Sequence, residues 1–358
     1  MTIDENASGG ILQVPATRGR GPKGGRSSNL KWPDFRATQS LALPFDRLCE
    51  PGDPQARLMQ ERDTAVKGTW QQRVLFLEKR VFVRTPDVSY VLNTIEELLP
   101  LAGLVANPGG MRVIAQSGMG KDTLIRYLSE AHPSQPHGAR PRFPILFVDF
   151  PHRLAPGEIL RKLLDQTGCI YKSSDSVRDL ETRLLDTMDA CQTQGLIFNE
   201  AQHLVSAAKG GSRVDARVAG ESGDWLKLFL ERIKRPVFMF GVPGWDSVFT
   251  VEKQLATRIP HRYEILPLPY DKNFVGILQA LDQAIPMPEP AGLTDTVLAR
   301  KLYGVSAGVW RPLVQLLRHG IIFATHRGSP RIGECDLARA YGVVFGQIRN
   351  PFRLQLKR

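Results

Sequence analysis

The sequence predicts a parallel α/β sheet flanked by helices, followed by a helical C-terminal part. Three observations carry that prediction. Short apolar runs alternate with amphipathic stretches through the middle of the chain, which is the signature of strands alternating with covering helices. One stretch, Arg112-Val-Ile-Ala-Gln-Ser-Gly-Met-Gly-Lys-Asp-Thr-Leu-Ile-Arg126, reads as strand, tight turn and helix in immediate succession. After Pro267 and Pro269 the strand signals stop, and from about Asn273 to Val344 the pattern is helical.

The totals set the frame. The 358 residues suggest two or three structural units, and 42% hydrophobic residues exclude general disorder. The 47 Lys and Arg against 36 Asp and Glu leave a net charge of +11, which points to a polyanionic partner, most simply nucleic acid. Cys49, Cys169, Cys191 and Cys335 lie far apart, with no C-x-x-C and no Cys/His metal spacing. They read as reduced core thiols of a cytoplasmic protein. No apolar run is long enough to span a bilayer and the N-terminus has no apolar signal core, so no membrane role is expected.

In chain order, residues 1–36 are rich in Gly, Ser, Arg and Lys and read as a flexible basic tail. Residues 37–95 read as a lead-in whose last helix, Val88 to Leu99, runs on into the next unit, apolar at Val88, Val91, Leu92, Ile95, Leu98 and Leu99 and stopped before Pro100. Residues 96–270 carry the alternation. Strands are expected at Met111 to Ile114, Pro144 to Phe150, Leu196 to Phe198 and Val237 to Phe240. Helices are expected at Gly157 to Leu164, Val177 to Met188 and Trp225 to Ile233. Residues 271–345 form the helical part and residues 346–358 a short basic tail.

Two stretches carry chemistry. In the first, Gly120 and Lys121 match the end of G-x-x-x-x-G-K-[ST], the phosphate-cradling loop. Backbone N–H groups of Ser117, Gly118, Met119, Gly120, Lys121, Asp122 and Thr123 would wrap an anion at a helix start, with Lys121 adding a point charge. Ala115 stands in place of the first Gly, and Asp122 in place of the Ser or Thr that helps hold Mg²⁺. Asp122 can approach a metal, but its charge also faces the phosphates. The plain alternative is an ordinary Gly-rich strand-to-helix turn. In the second stretch, Gly195-Leu-Ile-Phe-Asn-Glu-Ala-Gln-His-Leu204, a buried strand runs into Asn199 and Glu200. In P-loop ATPases this place carries an Asp that helps hold Mg²⁺, and here Asn199 replaces it. The amide there can accept from a metal-bound water but brings no charge to a hard cation. In P-loop ATPases a Glu that polarises the attacking water follows at this place, and Glu200 stands there; the plain alternative is a strand that exits into a polar turn.

With these motifs in view, residues from about 85 to 345 resemble the TnsC/TniB group of transposon AAA+ ATPases. Ala115-Gln-Ser-Gly-Met-Gly-Lys-Asp122 stands over the group's nucleotide loop, and Leu196-Ile-Phe-Asn-Glu-Ala-Gln-His-Leu204 resembles its Walker B stretch. Pro236-Val-Phe-Met-Phe-Gly-Val-Pro-Gly244 is similar to its sensor-1 strand, and Gln254-Leu-Ala-Thr-Arg258 to the box that supplies an arginine finger. Gly308-Val-Trp-Arg311 fits its sensor-2 pattern, and Asn350-Pro-Phe352 is similar to its chain endings.

The resemblance implies an AAA+ P-loop fold with a C-terminal helical lid, ATP and Mg²⁺ as cofactors, and self-assembly as a ring or filament. It further implies duplex DNA, a transposase and a TniQ-type target selector as partners, in a bacterial cytoplasm. Glu200 and Arg258 would be catalytic, Arg258 reaching a neighbour's γ-phosphate and Arg311 binding phosphate from the lid. Asp122 and Asn199 both fall on the Mg²⁺ site, so slow or absent hydrolysis is expected. DNA phosphates would meet Arg153, Lys162 and Lys172 after the second strand, and Arg213 and Arg217 after Walker B, without reading sequence. Two rival readings are an AAA+ switch of the helicase-loader or secretion type, and an adaptor that has lost nucleotide.

Overall fold

The computed structural model describes residues 12–13, 54–136, 141–151, 155–204, 220–251 and 253–353. In chain order its strands are β1 (Leu12–Gln13), β2 (Val83–Arg84), β3 (Gly110–Ala115), β4 (Ile145–Asp149), β5 (Gly195–Asn199), β6 (Val237–Gly241) and β7 (His261–Ile265). Its helices are α1 (Pro54–Lys67), α2 (Trp70–Arg80), α3 (Pro86–Leu98), α4 (Lys121–Ala131), α5 (Pro156–Thr167), α6 (Val177–Ala190), α7 (Gly220–Arg232), α8 (Val248–Val251), α9 (Lys253–Arg258), α10 (Lys272–Ala284), α11 (Thr296–Ser306), α12 (Trp310–His326) and α13 (Glu334–Val344). They fall into two compact units. One holds the residues up to Ser89, Gly118–Gly120 and everything from Pro267; the other holds Tyr90–Ser117 and Lys121–Leu266.

The second unit is the α/β unit. Its five strands are parallel in the order β4-β5-β6-β3-β7. β5 is buried from Gly195 to Phe198 and β6 along its whole length. Such strands read as continuous apolar runs because helices cover both faces. On one face, Leu146, Val148, Leu196, Phe198 and Met239 pack with Leu160, Leu163 and Leu164 of α5, Leu180, Leu184 and Met188 of α6 and Phe229 of α7. On the other, Tyr90 of α3 stacks on Tyr263 of β7 with ring centroids 4.5 Å apart. Each fully buried Leu or Phe contributes about 1.5–3 kcal/mol, so this double-sided core holds the strand ends rigidly.

Among the described strands, β1, β2 and β7 escaped the sequence reading, whose last named strand was Val237 to Phe240. β7, His261-Arg-Tyr-Glu-Ile265, is the edge beyond β3, and only its last residue is buried. An edge strand tolerates charge on residues that reach water, so it lacks the apolar run that marks the central strands.

The other unit is helical. Phe274, Ile277, Leu278 and Leu281 of α10 pack with Leu302 of α11, Leu313, Leu317 and Ile321 of α12 and Leu337 of α13. α2 joins the same core through Leu77, and Arg318 of α12 holds Glu78 of α2 at 2.6 Å. A capping box starts α2, with the Thr69 hydroxyl accepting from the Gln72 N–H and the Gln72 side chain accepting from the Thr69 N–H. β1 pairs with β2 in parallel. Near the chain end Phe352 is buried, and the Asn350 amide donates to the Ala338 carbonyl at 2.7 Å. Apart from residues 12–13, the N-terminal basic tail lies outside the described residues, as do residues 354–358. Of the three described cysteines only Cys191 is buried; Cys169 is half-buried and Cys335 exposed, which corrects the expectation of core thiols. Among the described residues no helix is long and apolar enough to cross a membrane.

Candidate functional site

The site starts from the register of the sheet. Ile114 of β3 pairs with Gly241 of β6, Phe198 of β5 with Met239 of β6, and Asp149 of β4 with Asn199 of β5. Because all these strands are parallel, their C-terminal ends and the connections leaving them share one edge of the sheet. Open α/β sheets bind ligands at that edge, where connections leave in opposite directions. Here the chain leaves β3 for β4 at the far edge, and later leaves β6 for β7 on the other side of β3.

The turn after β3 is built for a close approach. Gly118 and Gly120 have φ of +87° and +86°, a region that side chains other than Gly rarely enter. α4 then begins at Lys121, so the N–H groups of its first turn have no partner inside the helix. Lys121 is itself buried, at 8% exposure, while Asp122 is exposed and Thr123 half-buried. Ser117 is exposed; the Met119 side chain is buried, so it can offer a ligand only its backbone. The turn's tip, Gly118–Gly120, groups with the helical unit. There the Gly118 carbonyl accepts the backbone N–H of Arg311 at 3.0 Å, at the start of α12. Arg311 is exposed.

At the end of β5, Asn199 donates from Nδ2 to Asp149 Oδ1 at 2.9 Å. Its Oδ1 is buried and accepts nothing. Glu200 comes next at φ +55°, an uncommon conformation for a residue with a side chain, and one that clusters at functional sites. Gln202 spans the gap from β5 to β6: its amide N–H donates to the Glu200 carboxylate, and its Oε1 accepts from the Val242 N–H at 3.4 Å.

Arg258 ends α9 and pairs with Glu231 of α7 at 3.2 Å. Both line a cavity of about 410 Å³ with Asn107, Lys227, Gln254 and Thr257. The nearby Arg262 is engaged differently. It donates to Asp246 at 2.6 Å and to Glu264 at 3.2 Å, and the Asp246 hydrogen bond in the first place pushes its already high pKa further up.

Of the residues expected to meet DNA, Lys162 pairs with Glu158 one turn away at 2.8 Å, and the Lys172 side chain is exposed. Arg153, Arg213 and Arg217 lie outside the described residues. Two residues at the strand-end edge were missed by the sequence reading. Gln202 lies inside a quoted motif but at an offset that carries no established role. Asp149 closes the run Ile-Leu-Phe-Val-Asp, and an acid at the carboxyl end of a buried parallel strand is the signal that could have found it.

The residues present fit a phosphate chain, through the positive-φ turn, the first turn of α4 and Lys121. They also fit Mg²⁺, through the unpartnered Asn199 Oδ1 beside the Asp149 carboxylate. Among the described residues no cluster of three or more His, Cys, Asp or Glu could hold a metal alone. Mg²⁺ needs none when phosphates and water fill most of its shell.

Solved structures of low sequence identity share the fold. The Orc2 protein of Aeropyrum pernix, in its ADPNP–ADP complexes, superposes with a TM-score of 0.51 at 17% identity, over 74% of this chain and 69% of its own. Cdc6p from Pyrobaculum aerophilum gives 0.50 at 15%, over 72% and 67%. The Orc1 protein of Aeropyrum pernix, in complex with DNA, gives 0.50 at 15% over 71% of this chain, which spans only 64% of that protein. At such identities the likeness shows the fold alone, and the fold is that of AAA+ proteins. No curated protein matches the chain by sequence. The family model described as bacterial TniB protein matches residues 73–268, more than half of the chain. With the AAA+ sheet, the glycine turn and the strand-end Asn-Glu pair in place, this chain belongs to the bacterial TniB family.

Proposed function

We propose that this chain is a regulator of DNA transposition that binds ATP with Mg²⁺, assembles as an oligomer on duplex DNA, and links a TniQ-type target selector to a transposase. The observation that carries the reading is the turn between β3 and α4, with Gly118 and Gly120 at positive φ leading into a buried Lys121 at a helix start. That geometry presents N–H groups and one positive charge to a phosphate chain. Mg²⁺, when bound, neutralises phosphate charge. Glu200 orients or polarises water, held by Gln202. Arg258 acts on a neighbour's nucleotide once it leaves Glu231, an ion pair open enough to solvent to be exchanged at little cost. Membership of the TniB family supports the transposition role. The net charge of +11 supports a sequence-independent hold on DNA phosphates, and a structure of similar fold is described in complex with DNA. Asn199 and Asp122 on the metal side favour slow hydrolysis, which suits an assembly that must persist on DNA.

The test is sedimentation of the full chain on duplex DNA with ATP, ADP or neither, beside titration of a fluorescent ATP analogue. The reading expects nucleotide binding and ATP-dependent assembly, both weakened by Lys121→Ala. A chain that binds no nucleotide, and assembles equally well without it, is an adaptor and overturns this reading.

A further inference from the structure

We propose that Asp149 is the carboxylate of the metal side of this site, and that it works with Asn199 as one unit. The proposal rests on the reading that the turn after β3 binds nucleotide with Mg²⁺. The sequence left the metal side with a neutral Asn199, and offered Asp122 as the replacement charge. The structure places a different acid beside Asn199. Asp149 and Asn199 are register partners at the ends of neighbouring parallel strands, and the side chains meet at 2.9 Å.

That contact orients the amide. An ionised carboxylate can only accept, so the Asn199 N–H must face Asp149 and its Oδ1 must face away. This fixes which way round the amide lies, on chemical grounds. The Oδ1 so directed is buried and has no hydrogen-bond partner. A buried acceptor left unpaired is disfavoured, and a ligand that supplies a donor removes the penalty. The waters around a bound Mg²⁺ are such donors. Asp149 itself is exposed at the strand end, so its charge is available at that edge rather than spent in the core. The negative charge missing from β5 is thus supplied one strand over, from β4, and passed on through an aimed amide.

A purely structural role would have Asp149 only pin the end of β4 to β5. The two roles separate in the metal dependence of nucleotide binding. A fluorescent ATP analogue is titrated onto the full chain in EDTA, and then at fixed nucleotide with increasing Mg²⁺ or Mn²⁺. Asp149→Asn is isosteric, and its carbonyl can still accept the Asn199 N–H, so the strand pairing survives. It should raise the half-saturating Mg²⁺ by about tenfold or more, the usual effect of losing an outer-shell partner. Binding in EDTA should be unchanged. The charge swap Asp149→Asn with Asn199→Asp should restore the parent's metal dependence. A parent-like metal dependence in Asp149→Asn overturns the proposal, as does a charge swap that fails to restore it. A parent that binds no nucleotide with or without metal marks a different failure, that of the nucleotide reading itself.

Discussion

Replacing Gly118 by Ala tests whether the turn after β3 needs its geometry. Two costs add at this position. At φ +87° an L side chain is strained by about 1–2 kcal/mol. A Cβ built there would also lie 3.0 Å from Arg311 Cβ and 3.2 Å from Val309 Cγ1, tighter than ordinary contact. Overpacking of this kind costs about 1–3 kcal/mol. The cheaper escape is for the turn to move away from α12 and give up the hydrogen bond from the Arg311 N–H to the Gly118 carbonyl, worth about 1 kcal/mol net. The turn's N–H groups then lose their aim. Affinity for a fluorescent ATP analogue should fall at least about tenfold, since 1.4 kcal/mol is a factor of ten. Gly168→Ala is the control. Gly168 also has positive φ, at +67°, but a Cβ there meets nothing within 4 Å. It should cost about 1–2 kcal/mol of stability and leave nucleotide affinity alone. Parent-like nucleotide binding by Gly118→Ala would refute the role assigned to the turn.

Other named contacts give further expected outcomes. Arg258→Ala should leave the monomer folded and weaken ATP-dependent sedimentation on DNA; unchanged assembly would remove Arg258 from the site. DNA affinity should fall steeply with salt, by a slope near 0.9 in log–log terms for each phosphate neutralised, and a flat response between low and moderate salt would count against phosphate-driven binding. The buried Asp282 carboxylate accepts the backbone N–H groups of Ala291, Gly292 and Leu293 at 2.7, 2.9 and 3.1 Å. Asp282→Ala should therefore lower stability by roughly 3 kcal/mol or more in denaturant titration, because donors are left unpaired; a loss under about 1 kcal/mol would show that water replaces the carboxylate. Asp122→Thr with Asn199→Asp should raise ATPase activity and shorten the lifetime of DNA-bound assemblies, and no change in either would mean these two residues do not limit turnover.

Much of the site was legible because its signals are local. Gly118, Gly120 and Lys121 lie within a few residues of one another, and the turn's backbone demands show directly as glycines. The central strands β5 and β6 announce themselves because burial on both faces leaves almost no polar residue in them. The missed elements are those whose meaning is not local. β7 carries His, Arg and Glu because an edge strand keeps water beside it. Phe352 sits in a stretch that reads as basic tail, yet it completes the core under α12 and α13. Gln202 gains its role only when β5 and β6 are side by side, so that one amide reaches both Glu200 and Val242.

The parallel α/β class, the glycine turn after a strand and the Asn-Glu pair at a strand end were legible in the sequence by itself, since each rests on residue type at short spacing, and the AAA+ class was implied by the resemblance those motifs carry. The tertiary structure decided what stands beside Asn199. Asp149 lies fifty residues away along the chain, and only the parallel register of β4 and β5 brings the two side chains to 2.9 Å. Local patterning shows where strands end, whereas pairing between strands is a non-local choice made by the whole core, and it is that choice which puts a carboxylate next to the amide.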